Sequence, residues 1–134
     1  MKKIIHSQIN RMCIDVPESN IKNGQALEIW KKHGGDNQKW IYQEDGTIVS
    51  ALNKKYCIDI PESNIKNGQS IQIWEKHGGE NQKWIFEEDG TIVSALNKKY
   101  CIDIPKSNIK NGQAIQIWEK HGGNNQTWII KRDT

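Results

Sequence analysis

One set of polar and aromatic side chains occurs three times along the chain, each time in the same order. In the second occurrence Asp59 is followed by Gln72, Trp74, His77 and Asn81. An indole offers a flat apolar surface to the C–H face of a sugar ring, and carboxylate, amide and imidazole groups can hydrogen bond to its hydroxyls. This combination indicates a binding site for a sugar-like ligand. The three candidate sets are Asp15, Glu28, Trp30, His33 and Asn37; Asp59, Gln72, Trp74, His77 and Asn81; and Asp103, Gln116, Trp118, His121 and Asn125.

The sets recur because the whole chain is an internal repeat. A shift of 44 residues superposes the sequence on itself, with 37 of 44 positions identical between the second and third copies and 25 between the first and second. A fixed period of this length is typical of a repeated supersecondary unit. We therefore predict one domain over residues 1–134, with repeats at 1–44, 45–88 and 89–132. Residues 1–12 align without a gap onto the start of the second copy and are predicted to hold a degenerate first strand.

Turns and short apolar segments predict an all-β fold. Turn signals such as Asn23-Gly24, Gly34-Gly35 and Asp45-Gly46 arrive about every ten residues, which leaves no room for helices. The intervening segments of the second copy, 47–50, 57–60, 70–74 and 83–86, are rich in β-branched residues and nearly alternate. Four strands per copy, about twelve in all, predict a closed threefold barrel, because closure removes the exposed edges of a flat sheet.

The alternation of side chains along a strand predicts which candidate residues face outward. Ile14 and Val16 suit the core, so Asp15 between them is predicted to point outward. Ile29 likewise suits the core, and Trp30 then faces solvent. The same pattern repeats in the other two copies. Each copy is thus predicted to present an outward tryptophan and an outward aspartate.

Composition excludes several classes of protein. The 134 residues have a mean hydropathy of −0.80 and no apolar run of the roughly 18 residues that a spanning helix needs. Residues 1–8 turn polar too soon for a secretory signal, so we expect synthesis as a soluble cytoplasmic protein. Its glycan targets are expected outside the cell, and the sequence leaves the route of export open. Six tryptophans argue against disorder. The 19 basic and 16 acidic residues are interspersed, which disfavours nucleic acid as a partner.

The cysteines predict neither a metal site nor a local disulfide. Cys13, Cys57 and Cys101 occupy the same place in each copy, far apart in sequence, and their odd number leaves at least one thiol unpaired. Short ligand spacing of the zinc type is absent from the sequence. We predict no metal and no cofactor.

These residues resemble the repeats of the ricin B-chain-like lectins, and the likeness covers the whole chain three times. The family motif has a Cys-x-Asp segment, an Asn-Gly pair, a Gln-x-Trp segment and an Asn-Gln-x-Trp segment. The resemblance implies the β-trefoil fold. In the second copy the motif reads Cys57-Ile58-Asp59-Ile60, Asn67-Gly68, Gln72-Ile73-Trp74 and Asn81-Gln82-Lys83-Trp84.

The resemblance also implies a role for each residue. Asp59 would bind sugar hydroxyls, Trp74 would stack on the ring, and Asn81 would add a hydrogen bond; some bacterial members also use a histidine at the position of His77. Galactose or N-acetylgalactosamine is the implied ligand, on cell-surface glycans or polysaccharides. The second tryptophan of each copy would lie in the core, and the glutamine before it would support the loop. These structural residues are Trp40, Trp84 and Trp128, with Gln38, Gln82 and Gln126.

Two departures from the family pattern bear on function. Lys32, Lys76 and Lys120 stand where related repeats often have the second cysteine of a disulfide, so we expect shielded free thiols and a fold that tolerates a reducing compartment. Glu28 stands where the other copies have glutamine. Its charge near Asp15 should raise the pKa of one of the two carboxyls and make the first site the weakest at neutral pH.

Other functions are weighed against the same residues. Asp15 and Glu28 could suggest a glycosidase pair, but the other copies lack the second carboxylate, which favours binding over catalysis. A xylan-like polysaccharide-binding module and a protein-binding trefoil of the inhibitor type remain alternatives. Three sites on one domain predict agglutination or cross-linking of clustered glycans. Association with a toxin or enzyme chain is left open.

Overall fold

The computed structural model describes residues 2–7, 9–105 and 109–132. Within these residues the chain forms twelve short strands, and 3-10 segments are the only helical elements. No helix among them is long and apolar enough to cross a membrane. The prediction of an all-β chain with four strands per repeat is confirmed. The strands are β1 (Lys3–Ser7), β2 (Cys13–Asp15), β3 (Glu28–Trp30), β4 (Trp40–Tyr42), β5 (Ile48–Ser50), β6 (Tyr56–Asp59), β7 (Gln72–Glu75), β8 (Trp84–Phe86), β9 (Ile92–Ser94), β10 (Tyr100–Asp103), β11 (Gln116–Glu119) and β12 (Trp128–Arg132); the 3-10 segments are Pro17–Ser19, Asp36–Gln38, Pro61–Ser63, Glu80–Gln82 and Asn124–Gln126.

The first and fourth strands of each repeat form a closed barrel. Antiparallel pairs join β1 to β12 and to β4, β4 to β5, and β8 to β9. Two backbone hydrogen bonds complete the ring, because Trp84 N donates to Gly46 O and Trp128 N donates to Gly90 O, each at 2.8 Å. The predicted threefold closure is therefore confirmed, and the barrel has no free edge among these strands.

The middle two strands of each repeat form hairpins that interlock around the threefold axis. These hairpins are β2–β3, β6–β7 and β10–β11. Leu27 N donates to Ile71 O at 2.9 Å, Ile71 N to Ile115 O at 3.3 Å, and Ile115 N to Leu27 O at 3.2 Å. Each hairpin thus binds the next one in a cycle, and the three hairpins fix one another in place.

The core contains the tryptophans that the family resemblance assigns to it. Trp40, Trp84 and Trp128 are at most 4% exposed and pack with isoleucines from every repeat. Each indole N–H donates to a backbone carbonyl of the hairpin above it, as Trp84 Nε1 does to Ile58 O at 3.0 Å. A buried indole N–H needs such a partner, so these bonds tie the barrel to the hairpins.

The three cysteines are free, and their thiols are fully buried. Cys57 Sγ lies 3.7 Å from Trp74 O, and burial raises the pKa of this thiol to about 12. Lys76, at the position of the absent cysteine, pairs with Asp45 Oδ2 at 2.6 Å. The expected shielding of the thiols is confirmed, and the lysine turns toward the carboxylate of a neighbouring turn.

Candidate functional site

Each repeat holds one hollow between its hairpin and the loops that follow β2, β6 and β10. The first hollow has a volume of about 420 Å³, the second about 380 Å³ and the third about 250 Å³. The structure brings all five predicted residues of each set together in one hollow. The described lining residues are Asp15, Glu18, Ser19, Glu28, Trp30, His33 and Asn37 in the first; Asp59, Glu62, Ser63, Gln72, Trp74, His77 and Asn81 in the second; and Asp103, Pro105, Gln116, Trp118, His121 and Asn125 in the third.

The first tryptophan of each set lies at the mouth of its hollow. Trp30, Trp74 and Trp118 are 37–38% exposed, whereas the second tryptophan of each repeat is buried. Strand parity predicts the exposure of the first tryptophan correctly, and the family resemblance predicts the burial of the second. The first tryptophan is the last or next-to-last residue of the second strand of its hairpin, β3, β7 or β11. Its indole is therefore only partly covered by the protein.

The first repeat supports the exposed indole of the second. A Cβ atom at Gly24, in the first repeat, would lie 3.9 Å from Cζ3 of Trp74 in the second, and φ of Gly24 is +91°. Asn23 Oδ1 accepts from the backbone N of Glu75 at 2.8 Å, and Asn23 Nδ2 donates to the Glu75 carboxylate at 2.9 Å. The Asn-Gly turn therefore anchors the residue next to the tryptophan of the following repeat, which sequence reasoning within one repeat could not reveal.

The aspartate of each set lies on the floor of the hollow, not on the open surface. Asp15, Asp59 and Asp103 are 2% exposed, so the prediction of an outward carboxylate is wrong in this respect. Parity does turn the side chain away from the core, but the Asn-Gln pair of a 3-10 segment later in the same repeat, Glu80–Gln82 in the second, binds over it. Asp59 Oδ2 accepts from Asn81 Nδ2 at 3.2 Å and from Gln82 Nε2 at 2.9 Å.

A third amide completes the binding of the buried carboxylate. Gln72 Nε2 donates to Asp59 Oδ1 at 2.9 Å, and Gln116 makes the equivalent bond to Asp103 at 2.8 Å. Burial raises the pKa of both aspartates, and the amide donors oppose that rise. A carboxylate has about four acceptor positions, so Oδ1 keeps one for a ligand in the hollow.

The glutamine of each Asn-Gln pair holds the loop that carries the histidine. Gln82 Oε1 accepts from the backbone N of His77 at 2.9 Å, and Gln82 Nε2 donates to Glu75 O at 2.8 Å as well as to Asp59. All polar atoms of this side chain are thereby used inside the protein. The resemblance assigns a supporting role to this residue, and its contacts are of that kind.

The histidine ring presents one N–H to the hollow. His77 Nδ1 accepts from Gly79 N at 3.1 Å, so the proton of the neutral ring lies on Nε2. Nε2 is 3.9 Å from Asp59 Oδ2, too far for a direct hydrogen bond. A Cβ atom at Gly79 would lie 2.7 Å from His77 Cε1 and 2.6 Å from Asn81 Oδ1, so only glycine allows this approach.

The asparagine can offer a ligand only its oxygen. Both hydrogens of Asn81 Nδ2 are used, toward Asp59 Oδ2 and Ile60 O at 3.0 Å. Within the described residues, Gln72 uses one N–H only, and His77 Nε2 has no hydrogen bond. The second hollow thus offers two donors and several acceptors above an exposed indole.

Two residues of the rim are missing from the predicted sets. Glu18 and Ser19 line the first hollow, as Glu62 and Ser63 line the second, and all four have φ between 51° and 56°. Left-handed backbone in two successive non-glycine residues is strained and is frequent at binding sites. The proline before each pair signals a turn, but not which of its side chains reach the hollow. The corresponding residues 106 and 107 lie outside the described residues.

In the first hollow two carboxyl groups face each other across the hairpin. Glu28 lies directly opposite Asp15 in the β2–β3 register, the place from which Gln72 reaches Asp59. The pKa of Glu28 is raised from 4.5 to about 8. The largest cause is burial, followed by the hydrogen bond and the charge of Asp15 and then by the charge of Glu18. The predicted rise in the pKa of one carboxyl is confirmed. At neutral pH the Glu28 carboxyl is therefore mostly protonated and can donate to Asp15, as the glutamine does in the other repeats.

The fold and the hollows define a β-trefoil with a stacking surface and a polar floor in each repeat. Within the described residues, no group of three or more histidine, cysteine, aspartate or glutamate side chains is placed to hold a metal ion. The family model of the ricin-type β-trefoil lectin domain matches residues 2–133, and the chain belongs to this family of carbohydrate-binding, non-catalytic modules.

Solved structures support this assignment. The C-half of an earthworm R-type lectin, solved in complex with GalNAc, is 28% identical over 97% of both chains, with a TM-score of 0.81. An exo-β-1,3-galactanase from Clostridium thermocellum is 25% identical over 97% of this chain and 30% of its own, with a TM-score of 0.85. A designed threefold-symmetric protein shares the fold, with 21% identity over 98% of both chains and a TM-score of 0.89. No curated protein matches the chain.

Proposed function

We propose that this chain is a multivalent lectin with one sugar site in each repeat, and that its ligands are galactose- or N-acetylgalactosamine-type glycans. The observation that supports this most is the exposed indole above a buried, amide-bound carboxylate, found in all three hollows. The indole would stack on the apolar face of the sugar. The free acceptor position of the aspartate and the N–H of the histidine would bind its hydroxyls.

The choice of sugar rests on the relatives. The earthworm lectin C-half was solved with GalNAc, and the second relative is an exo-β-1,3-galactanase. A galactoside has one apolar face that suits stacking on an indole, and its hydroxyls can pair with hydrogen-bond donors and acceptors such as those of the hollow. Mannose and xylose are the comparison sugars that test this choice.

The arrangement favours binding over catalysis. Hydrolysis of a glycoside uses two carboxyl groups, one on each side of the bond that breaks. In the second hollow Asp59 is held by three amide donors and Gln72 replaces the second carboxyl of the first hollow. A buried carboxylate with three fixed donors is suited to accept a hydrogen bond and poorly placed to transfer a proton.

Three sites give the protein its avidity. A single monosaccharide site has an affinity near the millimolar level, about −4 kcal/mol. A domain of this size has a radius of gyration of about 14 Å, so its sites lie roughly 20 to 30 Å apart and engage clustered glycans more readily than one short chain. Each further site engaged raises the effective concentration, which predicts agglutination that fades as hollows are removed.

A polysaccharide-binding module is the second candidate. The galactanase carries a domain similar to this chain within a protein about three times as long, since the match covers 30% of that chain. Such a module would hold a polymer near a catalytic domain. Binding to insoluble galactan or xylan, with weak binding to cell-surface glycans, would favour this candidate over a free lectin.

Elution from immobilised galactose or lactose tests the proposal. We expect the protein to be retained, to elute with free galactose and to resist elution by salt, because stacking and hydrogen bonds are not screened by ions. Replacement of all three exposed tryptophans by alanine should abolish retention. Elution by salt alone would indicate an electrostatic partner and contradict the proposal, and an unchanged elution profile of the triple variant would show that the hollows are not the sites.

A further inference from the structure

The first and second hollows differ in a single described lining residue. Every other member of the first set has an identical counterpart in the second, including the exposed tryptophan and the Glu-Ser pair of the rim. The exception is Glu28, which takes the place of Gln72. The protein therefore contains a natural one-residue comparison between two sites.

We propose that Glu28 sets the ligand preference of the first hollow, which takes sugars carrying a protonated amino group in preference to the corresponding uncharged sugars. This inference rests on the proposed function, since it requires a sugar to occupy the hollow beside Trp30. It goes beyond that function by assigning the first site a ligand class of its own.

The hydrogen-bond inventory supports this preference. Gln72 donates one N–H to Asp59 and keeps a second N–H and its oxygen for a ligand. A protonated Glu28 carboxyl has one O–H, which serves Asp15, and an ionised one has none. The first hollow thus lacks a donor that the second has, and gains acceptors. A ligand that brings extra donors, as an ammonium group does, satisfies those acceptors better than a hydroxyl does.

The charges around Glu28 act in the same direction. Asp15 faces it from β2 and Glu18 from the following turn, while His33 Nε2 lies 3.7 Å from Asp15 Oδ2. Among the described lining residues of this hollow there is no lysine or arginine. A cation on the ligand would therefore meet up to three carboxyl groups, partly shielded from water, and the face of the indole, which also attracts cations.

Galactosamine and galactose are the probes. Two background proteins each keep one site: the first carries alanine for Trp74 and Trp118, and the second carries alanine for Trp30 and Trp118. At about pH 6.5 an amine of this type, with a pKa of about 8, is protonated. Calorimetry should give a ratio of galactosamine to galactose affinity roughly tenfold higher in the first background than in the second.

Reciprocal substitutions test the role of the residue itself. E28Q in the first background should lower the ratio to that of the second, and Q72E in the second background should raise it. The second variant keeps the test decisive if E28Q fails to fold. Ratios that stay within twofold of the parent in both reciprocal variants would overturn the inference.

Proton release provides a readout that a purely structural role would not change. A bound cation favours the ionised form of Glu28, so its carboxyl proton passes to the buffer when galactosamine binds. Calorimetry in buffers of different ionisation enthalpy should detect this release in the first background and not in its E28Q variant. Equal release in both proteins would contradict the assignment. If neither sugar binds either background, the proposed function itself fails; if galactose binds normally and the ratios do not move, only the role of Glu28 fails.

Discussion

Removal of the extra carboxyl group in the first hollow should stabilise the protein at alkaline pH and have little effect in acid. In the folded chain the pKa of Glu28 is raised from 4.5 to about 8, mainly because burial beside Asp15 disfavours its charge. Below about pH 4.5 the carboxyl is protonated in both the folded and the unfolded chain. Between 4.5 and about 8 the folded chain holds a proton that the unfolded chain has lost, so stability falls with rising pH across this window.

The magnitude follows from the size of the shift. Three to four pKa units correspond to an upper bound of about 5 kcal/mol. Because the side chain is only partly buried, solvent screens much of this, and we expect on the order of 1–2 kcal/mol. The E28Q variant should therefore match the parent at about pH 4 and exceed it by this amount at about pH 9.

Urea unfolding followed by tryptophan fluorescence at a series of pH values measures the difference. Groups distant from the first hollow titrate alike in both proteins and cancel when the variant is compared with its parent. E62Q is the matched control, since Glu62 holds the same place in the second hollow, where Gln72 and not a glutamate lies opposite Asp59. A constant difference between E28Q and the parent from acid to alkali would refute the reasoning about the carboxyl pair.

Three further predictions concern the second hollow and the thiols. N23A should weaken sugar binding at Trp74 by roughly two- to fivefold and leave the first site unchanged, although Asn23 belongs to the first repeat. Titration of the single-site backgrounds with sugar would show this, and an effect confined to the first site would contradict it. G79A should displace His77 or Asn81 and abolish binding at the second hollow, as judged by calorimetry, with unaltered affinity as the contrary result. The buried thiols should react with a thiol reagent only after unfolding, and labelling of the native protein as fast as that of unfolded chain would show that they are not shielded.

Strand parity and the repeat account for the parts of the site that are predictable from sequence. Both are local properties, so the outward face of Trp74 follows directly from the pattern, whereas the core position of Trp84 was implied by the family resemblance. The burial of Asp59 does not follow, because it depends on amides from a loop more than twenty residues away in the chain. The support of Trp74 by the Asn-Gly turn of the first repeat is equally hidden, since it arises when the hairpins interlock across the threefold axis.

The rim of the hollow was beyond sequence reasoning for a different reason. Glu62 and Ser63 adopt left-handed backbone, which neither residue type favours on its own. The chain accepts this strain because both ends of the turn are fixed, with Ile60 N donating to Asn81 O at 3.0 Å and Asn64 N to Pro61 O at 2.9 Å. The sequence marks a turn at the proline, and tertiary contacts decide which side chains of that turn line the hollow.

The six indole N–H resonances of the protein test the central proposal most directly. We expect titration with galactose or N-acetylgalactosamine, followed by heteronuclear magnetic resonance, to shift the three signals of the exposed tryptophans. The three signals of the buried tryptophans serve as internal controls and should stay in place. Saturable shifts of Trp30, Trp74 and Trp118 together would support one sugar site in each repeat. The absence of any shift at these three residues, at sugar concentrations well above the millimolar range, would contradict it.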